Sequence, residues 1–208
     1  MMLDRMEGNA ELKTSVQQML ATRRLTHSVL LVGEAGLGTG FAARCIAADY
    51  LYPAGGAAAE ALLRGECCRA VAKAGKRDSG TVETGIVREA ISVSGMGSGG
   101  KYLVGQVTAM RSEIFNTSLS AEGRAVLLYH VERMNEESAN ALLKVMEEPP
   151  EGVLFLLTAD SLASVLPTSA AAASALRWHR CPLPTAPATA RRRAWTKKQP
   201  HCTVSCSM

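Results

Sequence analysis

The chain has 208 residues and a mass of 22.0 kDa, enough for one domain with a sizeable core, or a domain plus a fragment. Hydrophobic residues at 47% and charged residues at 20% exclude wholesale disorder, and no apolar run approaches the ~18 residues of a membrane helix. The net charge of +4 is unevenly placed: seven basic and no acidic side chains follow Asp160, so the first 160 residues carry sixteen basic against nineteen acidic groups, a net of −3. The basic character belongs to the tail and does not define a nucleic-acid-binding surface over the whole chain. Met1–Met6 lacks the apolar segment of a secretory signal, and six cysteines without such a signal fit a reducing cytoplasm.

Taken in chain order, Leu12, Val16 and Met19 recur at helical spacing and predict an amphipathic helix over Asn9–Thr22. The apolar run Ser28–Val32 predicts a strand buried on both faces. A glycine-rich turn follows, then a helix over Phe41–Tyr52 that stops at Pro53. The Gly- and Ala-rich stretch Pro53–Gly100 yields no definite element except a strand over Ala90–Val93. Val104–Phe115 predicts a helix, Ala125–Tyr129 a strand, Asn135–Glu147 a helix closed by Pro149-Pro150, and Val153–Thr158 a third buried strand. Continuously apolar strands alternating with helices predict an α/β fold with a parallel sheet covered on both faces. The boundaries expected are a P-loop-type domain over 1–184 and a basic, disordered tail over 185–208.

Two glycine loops carry chemical signals. Gly33-Glu34-Ala35-Gly36-Leu37-Gly38-Thr39-Gly40 stands between a strand and a helix, the setting in which backbone N–H groups cradle phosphate. A working P-loop adds a Lys for the terminal phosphates and a Ser or Thr hydroxyl for magnesium, but those two places hold Thr39 and Gly40. Gly33, Gly36, Gly38, Thr39 and Gly40 are therefore a degenerate cradle that binds ATP weakly at best. Downstream, Gly95-Met96-Gly97-Ser98-Gly99-Gly100-Lys101-Tyr102 matches most of a second such motif. With no long buried strand expected before it, and Tyr102 at the hydroxyl-ligand place, it is expected to be a flexible surface loop.

Several segments together resemble the bacterial clamp-loader AAA+ family of DNA polymerase III: Gly8-Asn9 with Leu12, Arg24–Gly33, Val104–Val107 with Met110-Arg111, Val165–Thr168, Leu176–His179 and, most specifically, Asn135–Pro150. The similarity covers residues 7 to 184 and is nearest to the delta-prime branch, whose members often do not hydrolyse ATP. It implies an AAA+ P-loop fold, gamma/tau and delta subunits as partners, indirect contact with the sliding clamp and primer–template DNA, and no membrane. In its frame the magnesium-binding Asp and catalytic Glu fall at Tyr129 and His130, and neither side chain replaces them. Thr158 falls at a sensor-like place. The family's four-cysteine zinc module is reduced to Cys67 and Cys68, with Cys45 at a distance, so zinc is not expected there. The trans-acting arginine is missing from Ser169–Ala175, and Arg177 matches a later position. The resemblance also implies lid and collar domains, of which 185–208 shows no pattern. That tail is either a basic arm for DNA or the product of a truncation or frame change. The expected function is a structural pseudo-ATPase of the clamp loader. A working gamma/tau-like ATPase and a nonfunctional fragment are the alternatives.

Overall fold

The structure, a computed structural model, describes residues 1–6, 8–22, 27–73, 78–116, 123–165 and 174–177. Its framework is a seven-stranded sheet: β1 (Ser28–Val32), β2 (Cys67–Ala72), β3 (Gly80–Glu83), β4 (Val87–Ser94), β5 (Arg124–Tyr129), β6 (Val153–Ala159) and β7 (Ser174–Arg177). In space the order is β3-β2-β4-β5-β6-β1-β7. Every neighbouring pair is parallel except β2 with β3, which is antiparallel and forms one edge. The three strands expected from continuous apolar runs, β1, β5 and β6, are central and buried along nearly their whole length.

Strand residues alternate between two cores because successive side chains leave opposite faces of a sheet. Val29, Leu31, Ala125, Leu127, Leu154 and Leu156 pack on one face, while Leu30, Val126, Leu128, Phe155 and Leu157 pack on the other. The first face is covered by α2 (Thr39–Leu51) and α3 (Ala57–Arg64), with α1 (Ala10–Ala21) contributing Val16. The second is covered by α4 (Val104–Asn116) and α5 (Glu136–Glu147).

Local chemistry explains the helices. The wall of small residues Ala42, Ala43, Ala47 and Ala48 lets α2 lie close to both the sheet and its neighbours. Buried Asp49 on α2 accepts the N–H groups of Met2 at 2.7 Å and Leu3 at 2.9 Å, which ties the N-terminal segment down. In α5, the Asn135 side chain accepts the Ser138 N–H at 2.8 Å, and Glu136 and Glu137 complement the positive helix start. Ala139, Leu142, Val145 and Met146 form its buried stripe, and Pro149 follows the end of the helix.

The Pro53–Gly100 stretch is more regular than its composition suggests. It contains α3, β2 and β3, and the strand expected over Ala90–Val93 extends over the whole of β4. Short length and small residues left these elements without a period to recognise. Ser174 and Ala175, the end of the segment in which the resemblance places the missing trans-acting arginine, belong to edge strand β7, which pairs with β1. Expectations that rest on 23–26, 166–173 and 178–208, including the tail over 185–208, lie outside the described residues.

Candidate functional site

In a parallel sheet the carboxyl ends of adjacent strands open on one edge, and ligand sites gather there. β1, β5 and β6 deliver three expected residues or loops to that edge: Gly33–Gly40, the Tyr129–His130 pair and Thr158.

The Gly33 N–H donates to the carbonyl of Ala159 at 3.0 Å, which anchors the loop to the end of β6. Leu37 N–H then donates to the Glu34 carbonyl at 3.1 Å, closing a turn. Gly36 and Gly38 have φ of +85° and +86°, a left-handed conformation that a side chain makes costly. A Cβ at either position would meet nothing within 4 Å, so backbone conformation, and not crowding, selects glycine there. Gly38 caps α2, and Thr39 and Gly40 form its first turn. The first N–H groups of any helix lack intrahelical acceptors, so this terminus keeps the scaffold of an anion cradle.

Gly40 is different. A Cβ there would lie 3.3 Å from Cε1 and 3.5 Å from Cδ1 of Tyr129. The Tyr129 ring thus lies against the first turn of α2, packed on the first-face core. The two positions where the family would place a hydroxyl and a carboxylate hold a glycine and a tyrosine in mutual contact. Burial pushes the Tyr129 phenol up, and the nearby Arg44 guanidinium partly opposes that. Arg44 is itself positioned by donation to the Leu63 carbonyl at 2.9 Å and lies over the Phe41 ring. Arg44 had no motif to single it out in the sequence.

Next to Tyr129, His130 adopts φ +57°. Its backbone N–H donates to Thr158 Oγ1 at 3.1 Å, so the Thr158 hydroxyl links the ends of β5 and β6. Thr158 is 2% exposed.

The second glycine loop differs from its expectation. A long strand, β4, does run into it, and α4 follows closely. The loop folds back on itself: Gly97 N–H donates to the Lys101 carbonyl at 2.8 Å, and Gly100 N–H to the Gly97 carbonyl at 2.9 Å. A Cβ at Gly95 would stand 1.7 Å from the Gly100 oxygen, so close backbone approach requires glycine there. Tyr102, 1% exposed, holds its hydroxyl within hydrogen-bond distance of the carbonyls of Val93 and Tyr129, which share its one proton, and so bridges β4 to β5. Its role is structural.

Cys67 and Cys68, the remnants of the cysteine module, lie in β2 and face opposite cores. Adjacent strand residues on opposite faces do not converge on one ion. Cys45 is buried in α2 with its thiol pushed up to about 12, and burial also raises Cys67, which disfavours the thiolates that zinc needs. Arg177 pairs with Val32 in the β1–β7 register at the end of β7.

The family profile described as "DNA polymerase III, delta subunit" matches residues 8–178. The chain belongs to this family. It is similar to the delta' subunit of DNA polymerase III from Pseudomonas aeruginosa, 32% identical over 165 residues, covering 78% of this chain and 45% of that one. It is also similar to the gamma subunit from Buchnera aphidicola, 25% identical over 150 residues, covering 72% and 37%. Among solved structures it shares its fold with a gamma-subunit-related protein of Thermotoga maritima, with TM-score 0.51, 15% identity and coverage of 80% and 46%. RuvB of the same organism superimposes with TM-score 0.50 at 14% identity, covering 86% and 49%. The chain spans less than half the length of each of these relatives. The sheet and its covering helices thus share the fold of these two solved structures.

Proposed function

We propose that this delta-family chain acts as a delta-prime-type subunit of a bacterial clamp loader in the cytoplasm, supporting sliding-clamp loading without hydrolysing ATP itself. The single observation that carries the non-hydrolysing part is the contact between Tyr129 and Gly40. Magnesium in a P-loop ATPase is held between a hydroxyl on the first helical turn and a carboxylate at the end of a neighbouring strand. Here neither group is present, and an aromatic ring lies against the bare first turn. With Thr39 at the place of the phosphate-binding Lys, the residues do not fit magnesium–ATP, and no chemical step is assigned to it. The degenerate cradle of Gly33, Gly36, Gly38, Thr39 and Gly40 serves as a turn that seats α2, with Thr158 joining the strand ends beside it.

The role that remains is architectural. The exposed face of α5 in the Asn135–Pro150 region, with Glu136, Glu137, Asn140 and Lys144, is the surface assigned to gamma/tau and delta neighbours; the segment after Pro167, assigned the same role from the sequence, lies outside the described residues up to Ser174. The sliding clamp and primer–template DNA are reached through those neighbours. Among the described residues no helix is long and apolar enough to cross a membrane. The gamma-type reading has one observation in its favour, the Buchnera gamma similarity over 72% of the chain. Co-purification of the full chain with the gamma/tau and delta subunits of its own organism tests the architectural role. A stable stoichiometric complex is expected. Failure to enter any such complex overturns it.

A further inference from the structure

We propose that His130, Glu132 and Asp160 form a binding site for one divalent transition-metal ion of the zinc class. The site lies at the carboxyl edge of the sheet, where two adjacent parallel strands end. His130 follows β5, Glu132 lies in the short 3-10 turn Val131–Arg133, and Asp160 follows β6. His130 Nδ1 stands 3.1 Å from Glu132 Oε1 and 3.5 Å from Asp160 Oδ1. One ligand atom from each of the three residues falls within 4.8 Å of the others.

Those separations suit coordination. Ligand atoms about 2.0–2.2 Å from a tetrahedral zinc stand roughly 3.3–3.6 Å apart, so the two His130 distances match the edges of such a polyhedron with small adjustment. A histidine–carboxylate ion pair accounts for the contacts less completely. A single Nδ1–H can point well at only one of the two carboxylates, whereas an ion serves all three donors. An independent observation concerns Glu132. It is 12% exposed, and its second oxygen, Oε2, is buried with no hydrogen-bond partner. A buried carboxylate oxygen without a partner is costly, and a cation bound by the same group offsets that cost. Arg133, with Nε 4.0 Å from Glu132 Oε1, sets one positive charge beside Glu132 and leaves the second carboxylate charge to an ion.

Access and positioning are both provided. The His130 and Asp160 side chains are 43% and 35% exposed, which leaves an open side for an ion with bound water. Thr158 fixes the His130 backbone through the 3.1 Å hydrogen bond, so the ring is held beside the start of the Asp160 loop. One imidazole nitrogen with two carboxylates suits zinc and its first-row neighbours better than magnesium or calcium, which favour all-oxygen sets. The donors are unrelated to Cys67 and Cys68, and the site does not depend on the functional reading above.

The test uses the full chain without a histidine tag, titrated with zinc by calorimetry and with cobalt(II) by absorption spectroscopy. One ion per chain is expected, with cobalt bands typical of nitrogen and oxygen ligands. Zinc should raise the thermal midpoint. His130→Ala and the isosteric Asp160→Asn should each weaken binding at least about tenfold and abolish the thermal shift, with circular dichroism unchanged. A thiolate-to-cobalt charge-transfer band, affinity retained in both variants, or the lack of saturable binding overturns the site.

Discussion

The contact between Gly40 and Tyr129 makes a quantitative prediction through Gly40→Ala, alone and combined with Tyr129→Ala. Gly40 lies in the first turn of α2 and has no left-handed φ, so its backbone accepts alanine. In isolation the substitution stabilises a helix by about 0.8–1 kcal/mol. Here the new methyl would stand 3.3 Å from Tyr129 Cε1, several tenths of an ångström inside comfortable contact. Overpacking of this kind costs on the order of 1 kcal/mol or more, so the two effects should nearly cancel in the parent chain. In a Tyr129→Ala background the crowding is gone and most of the helical gain should appear. The coupling free energy should therefore be about 1 kcal/mol, measured by urea unfolding of the four proteins in a double-mutant cycle. Additivity within about 0.3 kcal/mol would refute the claim that the ring occupies the space above Gly40.

Other consequences follow from the described structure. Tyr102→Phe removes the hydroxyl that bridges the Val93 and Tyr129 carbonyls and should cost about 1–2 kcal/mol in chemical unfolding. Burial raises the Tyr102 phenol above its ordinary value, so the folded state holds the proton more tightly than the unfolded chain. That contribution to stability is complete below about pH 10 and declines as the pH rises above it; Tyr102→Phe should flatten this alkaline loss in pH-dependent thermal melts. Asn135→Ala removes the cap that accepts the Ser138 N–H and should cost about 1 kcal/mol, with the first turn of α5 fraying earliest in hydrogen exchange. Cys45 is buried with its thiol pushed up to about 12, so it should resist alkylation at neutral pH until the chain unfolds, as mass-mapped labelling would show.

The central sheet was legible because β1, β5 and β6 each carry a continuous apolar run (Val29–Val32, Ala125–Leu128 and Val153–Leu157), the mark of a strand covered on both sides. Helix α5 was legible for a different reason: a capping Asn135, acidic first-turn residues, a periodic apolar stripe and a double proline all agree. Neither advantage reaches Pro53–Gly100. The eight residues of α3, four of them alanine, are too short a run to stand out, and β2 reads Cys-Cys-Arg-Ala-Val-Ala, with Arg69 as its one polar residue and no apolar–polar alternation. At the site, the sequence identifies which chemical groups are missing, but not what stands in their place. Gly40 and Tyr129 are far apart in the chain, and only the pairing of β5, β6 and β1 brings them into contact. The same holds for His130 and Asp160, which meet because β5 and β6 are adjacent and parallel.

Magnesium dependence of nucleotide binding tests the central claim most directly. The full chain should be titrated with a fluorescent ATP analogue, with magnesium and then with excess chelator, while phosphate release is followed. If Tyr129 and Gly40 have closed the metal position, affinity should be weak and the same in both conditions, with no turnover. Micromolar affinity that requires magnesium, accompanied by phosphate release, would contradict the account.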